Sequence, residues 1–220
     1  MSDSWREYWE GTRRRSNDNI GTLTTQSTVL SLGYGVHRRF SAFATLPYVQ
    51  TNANAGVLSG LNGMQDLTVG VKARLFEITP TTRTRLRSTA LVGGGLPTTN
   101  YTPDFLPMSI GLGARHARVR AALHLQDKSN FFADVSAGYV WRSTVTLDRP
   151  AYFTNGQLFS TNEVAMPDVR DAMLAVGYQN ARWCIPLAIV QQRTLGGGDI
   201  RRQDMPFVSN RMDFTRVQAQ

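Results

Sequence analysis

One cysteine and three histidines in 220 residues leave little material for thiol or metal chemistry. Cys184 forms no internal disulfide and supplies no thiolate cluster; in an apolar strand it reads as a small packing residue. His37, His116 and His124 are too scattered for a ligand set, and His37 and His116, beside turns and loops, read as solvated surface. No run approaches the roughly 18 consecutive apolar residues of a spanning helix. That excludes helical membrane spans but not barrel strands, whose signal is weaker per segment. No segment of helical length keeps a 3.6-residue apolar stripe. The N-terminal "MSDSWREYWEGTRRRSNDN" lacks the apolar centre of a secretory signal. Neither Gly93–Gly95 nor Gly196–Gly198 is followed by Lys-Ser/Thr, so neither reads as a phosphate loop. No Gly-x-Ser-x-Gly elbow is present for a serine nucleophile. We therefore expect no enzyme, no cofactor and no bound metal. A net charge of +8 is compatible with nucleic acid. However, apart from short clusters at Arg13–Arg15, Arg38–Arg39 and Arg201–Arg202, the arginines are spread singly, so no nucleic-acid partner is expected.

What the sequence has is alternation. In "GMQDLTVGVKARLF", from residue 66 onward, Leu67, Val69, Val71, Ala73 and Leu75 fall on one face, and Thr68, Gly70, Lys72 and Arg74 on the other. A period of two is a strand with one oily and one wet face. Eight segments read this way, at about 22–36, 40–51, 66–77, 83–96, 115–126, 131–146, 172–179 and 182–192, and a ninth begins near Arg211. Pro186 interrupts the eighth; lacking a ladder donor, it signals a bulge, an edge or a shifted register.

The connections alternate short and long. Short ones are 37–39, 78–82, 127–130 and 180–181; long ones are about 52–65, 97–114, 147–171 and 193–210. An up-and-down meander then has its short turns on one side and its long loops on the other, the asymmetry of outer-membrane barrels. On the oily face, Tyr34, Phe40, Phe131, Tyr178 and Trp183 fall at the short-turn ends, and Tyr48, Tyr139 and Trp141 at the long-loop ends. Two aromatic girdles flanking an aliphatic band suit two membrane interfaces. The expected fold is therefore an all-β, up-and-down antiparallel transmembrane β-barrel, oily side outward. Residues 1–220 are expected to form a single, incomplete barrel domain: about nine strands of an expected twelve, short of a first strand and of closing strands.

Four stretches, "LPYVQTNANAGVLSGLNGMQDLTVGVKARLF", "GGGLPTTNYTPDFLP", "SAGYVWRS" and "TLGGGDIRRQDMPFVSNRM", carry a family likeness. With them the chain, from "EYWEGT" at Glu7–Thr12 to the ninth strand, resembles the outer-membrane transporter-like barrels grouped with the meta-pathway phenol-degradation protein. Gly63, Asp66, Leu67 and Gly70 match that family's Gly-x-x-Asp-Leu-x-x-Gly stretch most closely. The resemblance implies a barrel of about twelve strands, a bacterial outer-membrane location, and passage of small solutes, aromatic or hydrophobic ones among them.

The expected activity is that of an outer-membrane channel or transporter, whose partners are the lipid bilayer and a small-molecule solute. The alternatives are a non-conducting binding or structural barrel in the same membrane, and a soluble ligand-binding barrel. Lys72, Arg74, Arg85, Arg87, Arg120, His124, Asp134 and Arg142 are expected to line the lumen. Lys72, Arg74, Arg85 and Arg87 should cluster near the short-turn side, with a carboxylate such as Asp134 close by, and counting across the 127–130 turn places His124 opposite Asp134. The long loops are oily: "DFLPM", "VAMP" and "DMPFV" each join a proline to Met, Leu or Phe. We expect Phe105, Leu106, Met166, Met205 and Phe207 to form an apolar loop cap over the barrel mouth.

Overall fold

The computed structural model describes residues 2–105, 108–199, 201, 204 and 211–219. Among them there is no α-helix. The chain forms β1 (Ser2–Trp5), β2 (Glu7–Glu10), β3 (Arg13–Ser16), β4 (Leu23–His37), β5 (Phe40–Ala53), β6 (Asn62–Met64), β7 (Asp66–Ile78), β8 (Thr84–Pro97) and β9 (His116–Asp127). It continues through β10 (Phe131–Arg142), β11 (Thr144–Thr146), β12 (Tyr152–Thr154), β13 (Gln157–Phe159), β14 (Glu163–Ala165), β15 (Asp168–Gln179), β16 (Cys184–Leu195) and β17 (Phe214–Ala219). The main sheet runs β1-β4-β5-β7-β8-β9-β10-β15-β16-β17, with β6 paired to β5, and every ladder is antiparallel. Each long strand pairs with the next long strand in the chain, which is a meander. Among the described residues β1 and β17 form its two edges and no ladder joins them, so this sheet is open.

Four expected boundaries move. The expected strand at 131–146 breaks in two: β10 ends at Arg142, and β11 leaves the sheet to pair with β14. The strand expected from 172 already begins at Asp168. The N-terminal stretch ahead of the first expected strand contains three short strands: β1 pairs with the start of β4, and β2 and β3 form a hairpin held by Glu7–Arg14 and Glu10–Arg15 pairs. The third long connection contains a hairpin, β12–β13, whose two turn residues Asn155 and Gly156 both have positive φ (53° and 78°). Asn-Gly is the strongest short hairpin signal because both central residues of a type I′ turn need that conformation.

Pro186 sits inside β16 without disturbing register, opposite Gly177. Among the described residues the ladder to β17 begins at Leu187, so no described residue pairs with Pro186 on that side. Cys184, expected as a packing residue, is exposed where β16 begins.

Cross-strand partners share a face, so the registers sort every side chain. On one face Val71, Val92 and Val119 form a continuous row; Leu123, Val135, Leu174 and Ile189 form another. These side chains stay open to the outside: Val71 is 47% exposed, Leu123 45% and Leu174 50%. The aromatics bracket them. Phe131 and Tyr178 meet edge to face at the short-turn end, ring centres 5.5 Å apart. Tyr139 and Trp141 lie together at the long-loop end, 4.8 Å apart. From Phe131 to Tyr139 along β10 is about 27 Å of strand at about 3.4 Å per residue.

The opposite face is polar and concave. Asp66 on β7 and Gln192 on β16 line the same cavity although four strands lie between them, which requires the sheet to curl around its polar side.

Candidate functional site

The polar face carries its charge in rows. Lys72, Leu91, Arg120, Gly138, Asp171 and Gln192 form one row across six strands; Arg87, His124, Asp134 and Ala175 form another. All eight residues expected to line a lumen fall on this face by register, and they divide into three groups.

The first group gathers around a residue that alternation alone puts on the wrong side. Counted strictly from Val71, Ala73 and Leu75, Glu77 would join the oily face. A bulge between Arg74 and Phe76 inserts Leu75 as an extra residue and shifts the parity, so Glu77 pairs with Arg87 on the polar face. There its carboxylate meets Arg74 Nη1 at 3.2 Å, Arg87 Nε at 3.2 Å and Arg85 Nε at 3.5 Å. The basic cluster is thus matched by Glu77, where the sequence suggested a carboxylate such as Asp134. Two consecutive large apolar residues, Leu75 and Phe76, were the legible sign that alternation fails there. Lys72 lies one row away and makes no ion pair among the described residues.

The second group is His124 with Asp134, directly opposite each other, Nδ1 to Oδ1 2.7 Å; the Phe132 ring stacks against the imidazole at 5.9 Å.

The third group lies toward the long loops and lines a cavity of about 520 Å³. Its walls are His116, Arg118 and Arg120 of β9, Val140 and Arg142 of β10, Val169 and Asp171 of β15, and Val190 and Gln192 of β16. Ser109–Leu112 and Ala114 of the β8–β9 loop line it too. Arg120 pairs with Asp171 by reaching over Gly138, the residue between them in the row. A Cβ on Gly138 would stand 2.9 Å from Asp171 Oδ2 and 3.3 Å from Arg120 Nε, so a side chain here would have to push the ion pair aside. At Gly95 a Cβ would likewise meet the His116 ring at 2.4 Å. His116, expected as solvated surface, therefore points inward, half-buried beside Arg142. Arg142 donates from its guanidinium to Pro167 O at 3.2 Å and from its backbone N–H to Asp168 Oδ1 at 2.9 Å.

Sequence reasoning missed Arg118, Asp171 and Glu77. Arg118 was legible, since it shares parity with Arg120. Asp171 was hidden because β15 begins four residues earlier than the apolar pattern suggested.

The loops pack over this end. Tyr101 donates to Asp66 Oδ1 at 2.6 Å and accepts from the Gly113 N–H at 3.0 Å, tying the β8–β9 loop to the start of β7. Burial, and then the hydrogen bond to Asp66, push its phenol well above the usual range. Thr51 Oγ1 donates to Met108 O at 2.7 Å, and Arg149 reaches Asp104 at 2.8 Å. Of the expected apolar cap, Met166 is buried in a cluster with Ala114, Val145, Leu147 and Val164, against which Tyr152 packs. Phe105 is half-buried, and Leu106, Met205 and Phe207 lie outside the described residues. The buried apolar contacts therefore join the loop before β9 to the one after β10; Met108 and Ile110 of the β8–β9 loop are buried as well.

An open antiparallel meander, oily on its convex face, with a charged cavity on its concave face under packed loops, defines an all-β protein of the sheet-wall kind. The family model described as "Putative MetA-pathway of phenol degradation" matches residues 11–178, more than half of the chain, and the chain belongs to that family. No curated protein and no solved structure matches it.

Proposed function

We propose that this chain forms the wall of a bacterial outer-membrane β-barrel that passes small solutes along its polar face. The observation that carries the reading is the separation of the two faces. Large aliphatic side chains stand exposed in rows along the convex face, bracketed by aromatic pairs, while the charges of the strands' central spans turn to the concave face. An apolar belt of this extent is far larger than the patches of soluble monomers, and its height, about 27 Å of strand before tilt, suits the band of an outer-membrane barrel, about 25 Å. A soluble ligand-binding barrel would place its oily face inward. Unpaired strand edges inside a bilayer leave backbone groups without partners, so the reading requires β1 and β17 to be paired in the membrane, by further strands or by a second copy. The family description points to phenol degradation, from which we infer small aromatic solutes. We assign the His124–Asp134 pair to the wall and give it no catalytic role.

A second reading has its own support. The packed loops roof the cavity, which suits a barrel that binds its solute without conducting. Reconstitution of the whole protein in planar bilayers separates the two: discrete conductance steps are expected for a channel, and a silent bilayer containing inserted protein would favour the binding barrel.

A further inference from the structure

We infer that the cavity beneath the β8–β9 loop is a binding site for a small organic anion with an apolar body, and that Arg118 is its anchoring cation. The inference deepens the reading of the polar face as a solute path and rests on it for its biological meaning, though not for its test. Among the described residues three arginines (Arg118, Arg120, Arg142) and two aspartates (Asp66, Asp171) line the cavity, a net charge of +1 with His116 neutral.

The two carboxylates are already engaged. Asp171 holds Arg120 across Gly138, and Asp66 accepts the Tyr101 hydroxyl at 2.6 Å. Arg142 has the Pro167 carbonyl. Arg118 makes neither an ion pair nor a side-chain hydrogen bond among the described residues, and it is only half-buried. Its row explains why. Arg118 stands between Gly93 on β8 and Val140 on β10; beyond them come Gly70 and Val169, and no residue of the row carries an acid. Glycine on one side offers it no side-chain partner, and valine on the other gives it an apolar flank.

A planar guanidinium with no carboxylate of its own is suited to grip one from a ligand, in a bidentate pair where both oxygens can reach it. Val140, Val169 and Val190 on the wall, with Leu112 on the roof, offer the apolar contact that an inorganic ion would not use. A volume of about 520 Å³ lies in the range of small-molecule sites. The arrangement therefore selects for two properties together, one negative charge and an apolar body.

The test measures binding to the whole protein in detergent by titration calorimetry, so that it does not depend on conduction. Benzoate, benzyl alcohol and acetate are the probes, the second lacking the charge and the third the body. Wild-type protein is expected to bind benzoate more tightly than either of the others. Arg118→Gln is expected to weaken benzoate by about tenfold or more, the weight of a charge-assisted hydrogen bond, while Lys128→Gln, the same charge change in the β9–β10 turn, leaves it unaltered. Benzoate binding no tighter than benzyl alcohol to the wild type overturns the proposal, and so does full affinity in Arg118→Gln. If that variant does not fold, as judged by its β-sheet circular dichroism, the three-probe comparison on the wild type decides alone. Benzoate binding with silent bilayers would refute the channel and leave this site standing; conductance without benzoate binding would do the reverse.

Discussion

Gly138 lets an ion pair cross from β9 to β15, and this makes it a sharper probe than either charged partner. Gly138→Val should destabilise the fold by about 1–3 kcal/mol, the usual cost of forcing side-chain atoms into an occupied space. Gly33→Val gives the control: a Cβ there meets nothing within 4 Å, so the better strand propensity of valine should leave stability unchanged or raise it by up to about 1 kcal/mol. Urea unfolding of the two variants compares them directly; equal effects would mean that Gly138 has no special neighbour. Tyr101 offers a pH signature. Its phenol holds its proton more tightly folded than unfolded, so the stability it contributes is complete below about pH 10 and is lost as pH climbs through the raised folded value. Tyr101→Phe should cost about 1–3 kcal/mol at neutral pH, by removing a hydrogen bond to a carboxylate. Its stability should then fall less steeply than that of the wild type above pH 10. Parallel curves in alkali would deny the raised phenol.

At the scale of strands and loops, the bulge in β7 decides which face Glu77 joins. Because Leu75 is the surplus residue, deleting it should keep Glu77 inward and leave the fold intact with a modestly lower melting temperature. One alanine inserted between Val71 and Lys72 should instead turn half the strand inside out and prevent folding. Circular dichroism melts of the two variants check this, and similar behaviour would contradict the assigned bulge. The same strand shows how far the sequence could be read. Strand order, the two kinds of connection and the face of nearly every aliphatic residue follow from period-two alternation, because a side chain in a meander has only two directions to point. What alternation could not show was where it breaks. The bulge at Leu75 concealed Glu77, and the polar start of β15 concealed Asp171, so the partners of Arg87 and Arg120 were missing from the expected site. Cys184 was misplaced for a different reason: its apolar neighbours suggested packing, whereas the register puts it on the polar face with Gln192, at the exposed start of β16. The loop contacts were beyond reach, since they depend on Tyr101 meeting Asp66 and Arg149 meeting Asp104 across separations that no local pattern encodes. The Asn155-Gly156 hairpin was legible and overlooked.

For the whole molecule, the account stands on one claim, that the convex face meets lipid and the concave face meets water. The stability of such a wall does not come from an oily interior. Its polar side is held by Glu77 with its three arginines, by Arg120 with Asp171, and by His124 with Asp134, while the aliphatic rows stand exposed, where the proposed reading puts hydrocarbon. Adjacent residues on β9 put the claim to its most direct test. In a Cys184→Ala background, which removes the one exposed native thiol, a nitroxide is attached at residue 123 or at residue 122, and the whole protein is placed in phospholipid vesicles. Collision with oxygen, which concentrates in the bilayer, is compared with collision with a water-soluble nickel chelate. The account predicts that the label replacing Leu123 meets oxygen and is shielded from nickel, and that the label replacing Ala122 shows the opposite. A label at 123 that meets nickel freely, or no alternation between the two positions, would contradict it.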